Sequence, residues 1–230
     1  MRSPVFFVAG LFAVLAACGP SQPAAGGASP EPAASSTRAR NPVPVVVMLG
    51  DSLTAGYQLA SDAALPDAVQ RMLDDRGIKV KVVNAGGSGD TTADGLNRYD
   101  WSVAGQNPDL LIVALGANDF LQNIAPDVPA RNLRAIIARA KATNLPVALL
   151  GVSVPDDVAV NDEREAAYKL LWRNVADAEG VPLLMDMLAP VHGKPELLLR
   201  DGVHPTEAGV EAMARPVADF IGPMVEALPH

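Results

Sequence analysis

Cysteine is all but missing from this sequence: its 230 residues hold one, Cys18, so the folded part can contain neither a disulfide framework nor a cysteine metal cluster. Histidine is nearly as scarce, with only His192, His204 and His230, and no two of them stand at a ligand spacing on one helix. No metal is expected in the chemistry, and no cofactor is implied. Positive charge is short as well, since 18 Lys and Arg face 26 Asp and Glu for a net charge of −8. The basic residues are scattered, so no face is built to neutralise phosphates and nucleic acid is not an expected partner. Apolar residues are plentiful at 49%, enough for one domain with a single filled core.

The chain opens with Arg2, an apolar run over residues 5–15 and small residues before Cys18. That is the pattern of a secretory signal peptide over residues 1–18, which lies outside the fold. Leu15-Ala16-Ala17-Cys18 resembles the lipobox of bacterial lipoproteins. The resemblance implies cleavage before Cys18, a lipid on its sulfur, and anchoring to a bacterial membrane facing the periplasm. An ordinary signal cut at an A-x-A-like site, leaving a soluble periplasmic or secreted protein, is the alternative. Residues 19–41 are Pro, Ala, Ser and Gly with little to bury, so a disordered tether is expected there and the folded domain over 42–230.

Within the domain, short apolar runs at 43–49, 80–84, 110–115, 147–152 and 181–185 predict five strands. Between them Leu65, Val69, Met72 and Leu73 form one helical face closed by Gly77, and Leu133, Ile136, Ile137 and Ala140 form a second. Tyr168, Leu171, Trp172 and Val175 make a third, stopped by Gly180, while Val210, Met213, Val217 and Ile221 make a fourth with a kink expected at Pro216. Strands apolar on both faces and separated by amphipathic helices predict a three-layer α/β/α domain around a parallel sheet. In such sheets the ligand lies beyond the carboxyl ends of the strands.

Four blocks fall at those ends. Gly50-Asp51-Ser52-Leu53 follows the first strand and opens a helix, where Ser52 is either a nucleophile or a helix cap. Asn84-Ala85-Gly86-Gly87-Ser88-Gly89-Asp90 follows the second; Gly89 permits a backbone shape that aims its N–H at a ligand, though a plain turn is the alternative. Gly116-Ala117-Asn118-Asp119 follows the third and offers the Asn118 amide as a donor. Near the C-terminus Asp201 stands three residues before His204, a spacing at which a carboxylate can hold one imidazole nitrogen while the other takes a serine proton. His192 is the rival base and is expected to be a solvent-facing loop residue.

GDSL at 50–53, the Gly89 turn, GAND at 116–119 and DGVH at 201–204 occur in that order, and together they resemble the SGNH, or GDSL-type, hydrolases. The likeness is to the bacterial arylesterase, thioesterase I and lysophospholipase branch, and it spans essentially the whole domain. It implies a flavodoxin-like five-stranded sheet in the order 2-1-3-4-5 and hydrolysis of carboxylic esters. The absence of any G-x-S-x-G pentapeptide points the same way, against an α/β-hydrolase arrangement. Carried over by position, Ser52, Asp201 and His204 are the implied triad, and Ser52, Gly89 and Asn118 the implied oxyanion hole. The chain departs from the family wording at Gly86-Gly87 and over 154–162, which leaves the pocket walls open.

The implied substrates are small ester molecules: aryl or acyl esters, with lysophospholipids and acyl thioesters beside them. Leu53, Tyr57, Phe120, Leu121 and Ile124 are candidates to line an acyl groove, packing into the core being the alternative. A carbohydrate acetylesterase using the same site and a non-catalytic binding lipoprotein are the other functional readings.

Overall fold

A computed structural model of the chain describes residues 42–152 and 162–228. The signal peptide expected over 1–18, with Cys18, and the tether expected over 19–41 lie outside the described residues, as does most of the divergent 154–162 segment. Five strands, β1 (Val45–Gly50), β2 (Lys81–Gly86), β3 (Leu110–Ala114), β4 (Val147–Leu150) and β5 (Leu183–Leu184), form one parallel sheet in the order β2-β1-β3-β4-β5. Around it run α1 (Ser52–Ala55), α2 (Leu65–Asp74), α3 (Thr92–Asn97), α4 (Tyr99–Ser102), α5 (Ala117–Leu121), α6 (Asp127–Ala142), α7 (Asp162–Glu179) and α8 (Glu207–Glu226).

Every residue of β1, β3 and β4 is buried. Successive side chains of a strand point to opposite faces, so unbroken burial means that both faces are covered. The strand order supplies the covering. The chain steps from β1 outward to β2, then crosses back to β3 and continues the other way, and right-handed crossovers in opposite directions place their helices on opposite faces. The helix contacts agree: α2 packs against α8, and α6 against both α3 and α7. The expected helical faces are the buried ones, with Leu133, Ile136, Ile137 and Ala140 fully buried on α6. Helix α8 runs through Pro216 and Pro223 as a single element, so Pro216 does not end it.

The two outer strands differ from expectation. Strand β2 is not apolar on both faces: Lys81 and Asn84 are exposed, because an edge strand has one neighbour and a rim in water. Strand β5 is only Leu183–Leu184, shorter than 181–185, since Pro182 has no N–H to extend the ladder and Asp186 turns the chain by accepting from the Leu188 N–H at 2.9 Å.

The reversal of strand order falls between β1 and β3, and their carboxyl ends open the crevice where such sheets hold ligands. Residues 51–52 and 115–118 leave the sheet at that point.

Candidate active site

Asp51, not Ser52, caps α1: its Oδ1 accepts from the Leu53 N–H at 3.0 Å. The hydroxyl of Ser52 is therefore not spent on the helix. Its Oγ lies 2.8 Å from Nε2 of His204, a residue 152 positions away. On the other side of the ring, Nδ1 is 2.8 Å from Oδ2 of Asp201. A carboxylate accepts only, so Nδ1 carries the hydrogen, Nε2 presents its lone pair, and the Ser52 hydroxyl donates to it.

The Asp201 loop is built to hold that geometry. Asp201 Oδ1 accepts from the N–H groups of Val203 at 2.9 Å and His204 at 3.0 Å, which folds the loop back on its own carboxylate. Gly202 sits at φ +70°, a left-handed conformation that a side chain would strain. Leu198 bridges Pro205 across the loop's base, and Thr206 caps α8 by accepting from the Gly209 N–H. Burial pushes the Asp201 carboxyl up, but the hydrogen bonds from His204 and Val203 outweigh it and hold the group below the usual carboxylate range. The Tyr57 ring lies 4.4 Å from the His204 ring and shields one side of it.

Two further loops complete the crevice. Gly89 has φ +87° in an exposed turn that Gly87 anchors by donating its N–H to the Gly50 carbonyl at 2.9 Å. Asn118, the second residue of α5, donates from Nδ2 to the Asp90 carbonyl at 2.9 Å. An amide nitrogen has two hydrogens, so one bond orients the group and leaves the second for a ligand. The crevice thus holds a hydroxyl on a base on a carboxylate, beside backbone and amide donors suited to a developing negative charge.

His192 stands apart from this chain, half-exposed with Nδ1 3.6 Å from Asp186 Oδ2. The candidate groove residues divide: Leu53 and Phe120 are packed into the core, Ile124 is half-buried, and Tyr57 and Leu121 are exposed. For Leu53 and Phe120 the groove expectation is corrected, because each points inward from the short helix that follows its motif.

Three features escaped the sequence reading. Arg98 donates from Nε to Asp90 Oδ2 at 2.5 Å and from Nη2 to the Gly50 carbonyl at 2.8 Å, pinning the Gly89 turn to the end of β1. Gly86 is demanded by space, since a Cβ there would lie 2.3 Å from the Ala55 nitrogen, whereas one on Gly87 would lie 2.4 Å from the Asp90 carboxylate and push against the side chain that Arg98 holds. Asp51 is 1% exposed, and burial pushes its carboxyl up to about 6. An acid directly after a buried strand, as in Met48-Leu49-Gly50-Asp51, was the available signal for the last.

Residues 48–212 match the model of the GDSL-like Lipase/Acylhydrolase family. The chain is 33% identical over 160 residues to the arylesterase of Vibrio mimicus, covering 70% of this chain and 79% of that protein. It is 32% identical over 181 residues to thioesterase 1/protease 1/lysophospholipase L1 of Escherichia coli K12, covering 78% of this chain and 84% of that one. The crystal structure of TesA superposes with a TM-score of 0.73 at 30% identity over 78% of this chain and 99% of that chain.

Proposed function

This chain belongs to the GDSL-like lipase/acylhydrolase family, and we propose that it acts through Ser52 as nucleophile, His204 as base and Asp201 as the group that orients His204. It is a carboxylic ester hydrolase. The observation that carries the assignment of roles is the unbroken hydrogen-bond chain from Ser52 Oγ through both ring nitrogens of His204 to Asp201.

Ser52 Oγ forms a bond to the acyl carbon as its proton passes to His204 Nε2, and the carbonyl electron pair moves onto oxygen. The N–H groups of Ser52 and Gly89 and the Asn118 amide receive that oxyanion; one such donor is typically worth ~10²–10³ in rate. As the oxyanion collapses, the bond to the leaving oxygen breaks and His204 returns its proton to the alcohol. Water then attacks the acyl-enzyme by the same sequence, releasing the acid and restoring Ser52. Asp201 stabilises the imidazolium while it lasts.

The substrates are aryl and acyl esters, with lysophospholipids and acyl thioesters as side activities. The names of the Vibrio and Escherichia relatives and the exposed Tyr57 and Leu121 near the crevice support this. The domain works outside the cytoplasm, residues 1–18 serving for export, Cys18 as lipid attachment site and residues 19–41 as tether, a reading supported by the composition of that segment.

Nitrophenyl esters of graded acyl length, assayed on wild type, Ser52→Ala, His204→Ala and His192→Ala, test the proposal. Ser52→Ala is expected to fold, to lose up to ~10⁶ in turnover and to resist labelling by a fluorophosphonate. His192→Ala is expected to stay active. Wild-type kcat/KM is expected to rise from acetyl by up to about fourfold per methylene, then fall when the groove is full. A Ser52→Ala enzyme with a tenth of the wild-type rate, or a dead His192→Ala beside a live His204→Ala, overturns the roles. A profile falling from acetyl onward overturns the acyl-ester reading in favour of an acetylesterase.

A further inference from the structure

The two loops that carry Gly89 and Asn118 leave the sheet after β2 and β3, and these strands are not neighbours. Strand β1 lies between them, so no backbone ladder joins the two strands directly, and the ladders through β1 stop at the strand ends, short of both donors. Beyond those ends, side chains join the loops.

Asp119, the residue after Asn118, is a carboxylate with no exposed surface. Its Oδ2 accepts from the backbone N–H of Thr92 at 2.8 Å, and its Oδ1 accepts from the Thr92 hydroxyl at 2.7 Å. Thr92 is likewise fully buried and is the first residue of α3, three positions beyond Gly89. The same hydroxyl oxygen accepts from Asn132 Nδ2 of α6 at 3.0 Å. One side-chain cluster therefore joins the starts of α3 and α5 and braces both against α6. The Asn118 amide makes the second tie across the gap, to the Asp90 carbonyl. Burying an unpaired carboxylate is costly, and among the described residues the side-chain oxygens of Asp119 are both satisfied by Thr92, in contacts that join the two donor loops.

We infer that Asp119 is a positioning residue: through Thr92 it holds the Gly89 turn and the Asn118 amide at the separation the oxyanion requires. The inference rests on the oxyanion roles proposed above. Misplacement by about 1 Å can cost on the order of 10² in rate, so a rigid tie at this point has leverage on turnover rather than on substrate binding.

Asp119→Asn keeps the shape but puts an NH2 against one of the two Thr92 donors. Expected is a fall in kcat of roughly 10- to 100-fold with KM held within about twofold. In an Asn118→Ala background the same substitution is expected to cost less than about threefold, because the amide it positions is gone. Should Asp119→Asn fail to fold, the Thr92 pair decides: Thr92→Val is expected to lose kcat in the same way, and Thr92→Ser, which keeps the hydroxyl, to recover most of it. Equal factors from Asp119→Asn in both backgrounds, an unchanged kcat in folded Asp119→Asn, or no difference between Thr92→Val and Thr92→Ser would overturn the inference while leaving the oxyanion roles standing. A wild-type kcat in Asn118→Ala alone would overturn those roles, and this inference with them.

Discussion

Asp51 is a carboxylic acid placed where water does not reach it. Oδ1 has the Leu53 N–H, but Oδ2 has no hydrogen-bond partner among the described residues. Burial favours the neutral form and outweighs the Leu53 N–H and the charge of His204, which favour the anion, while Asp90 adds to the upward push. Because the folded value of about 6 lies above the ordinary 3.8, Asp51 contributes stability that is complete below 3.8 and is lost as pH rises through 6. About two pH units correspond to on the order of 3 kcal/mol. Asp51→Asn keeps the Oδ1 acceptor and cannot ionise. Its Tm is expected to match wild type near pH 4 and to exceed it by several degrees at pH 8. An equal difference at both pH values in thermal scans would show that Asp51 does not ionise at a cost. The same ion lies near His204, where it would favour the imidazolium, so the gain in stability is expected to come with a lower kcat at pH 8.

At the scale of elements, α1 is a single turn whose placement decides where Ser52 stands. The edge strand places it. Gly86 of β2 lies in register with Gly50 of β1, and its missing side chain lets the backbone of Ala55 approach. A methyl there meets main chain rather than a flexible side chain, so α1 or β2 has to move. Gly86→Ala is expected to cost roughly 1–3 kcal/mol, seen as a fall of about 2–4 °C in Tm per kcal/mol, together with a fall in kcat. Gly77→Ala is the control: φ is +74° but nothing lies within 4 Å, so only backbone strain is added, far from the crevice. An unchanged Tm and kcat in Gly86→Ala would show that α1 does not depend on this contact. The amphipathic helices were legible because burial repeats every three to four residues, and β2 and β5 were legible as strands, whereas the exposed residues of β2 and the shortness of β5 were not, because an edge is defined by a neighbour that is absent.

At the scale of the whole molecule, the lipid proposed on Cys18 would anchor the protein to a membrane. Several acyl chains hold a protein firmly where one holds it marginally. Wild type is accordingly expected to sediment with membranes, and Cys18→Ser carrying a cleavable signal to be soluble with the same kcat. Wild type recovered free in the periplasm or the medium would rule the anchor out.

The presence of the strands and the alternation of layers could be read from the chain, because burial on both faces writes continuous apolar runs and burial on one helical face writes a period; the strand order β2-β1-β3-β4-β5 leaves no such mark and came with the resemblance to the SGNH hydrolases. The hydrogen bond of Asp201 to His204 is likewise local, three residues apart in one turn that folds on its own carboxylate. Only the tertiary structure decides that Ser52 Oγ comes within 2.8 Å of His204, that Leu53 and Phe120 face the core while Tyr57 and Leu121 do not, and that Asp119 reaches Thr92. The first and the last depend on how far two loops stand apart once the strands between them have packed, and the second on which way a one-turn helix faces; neither leaves a periodic mark in the sequence.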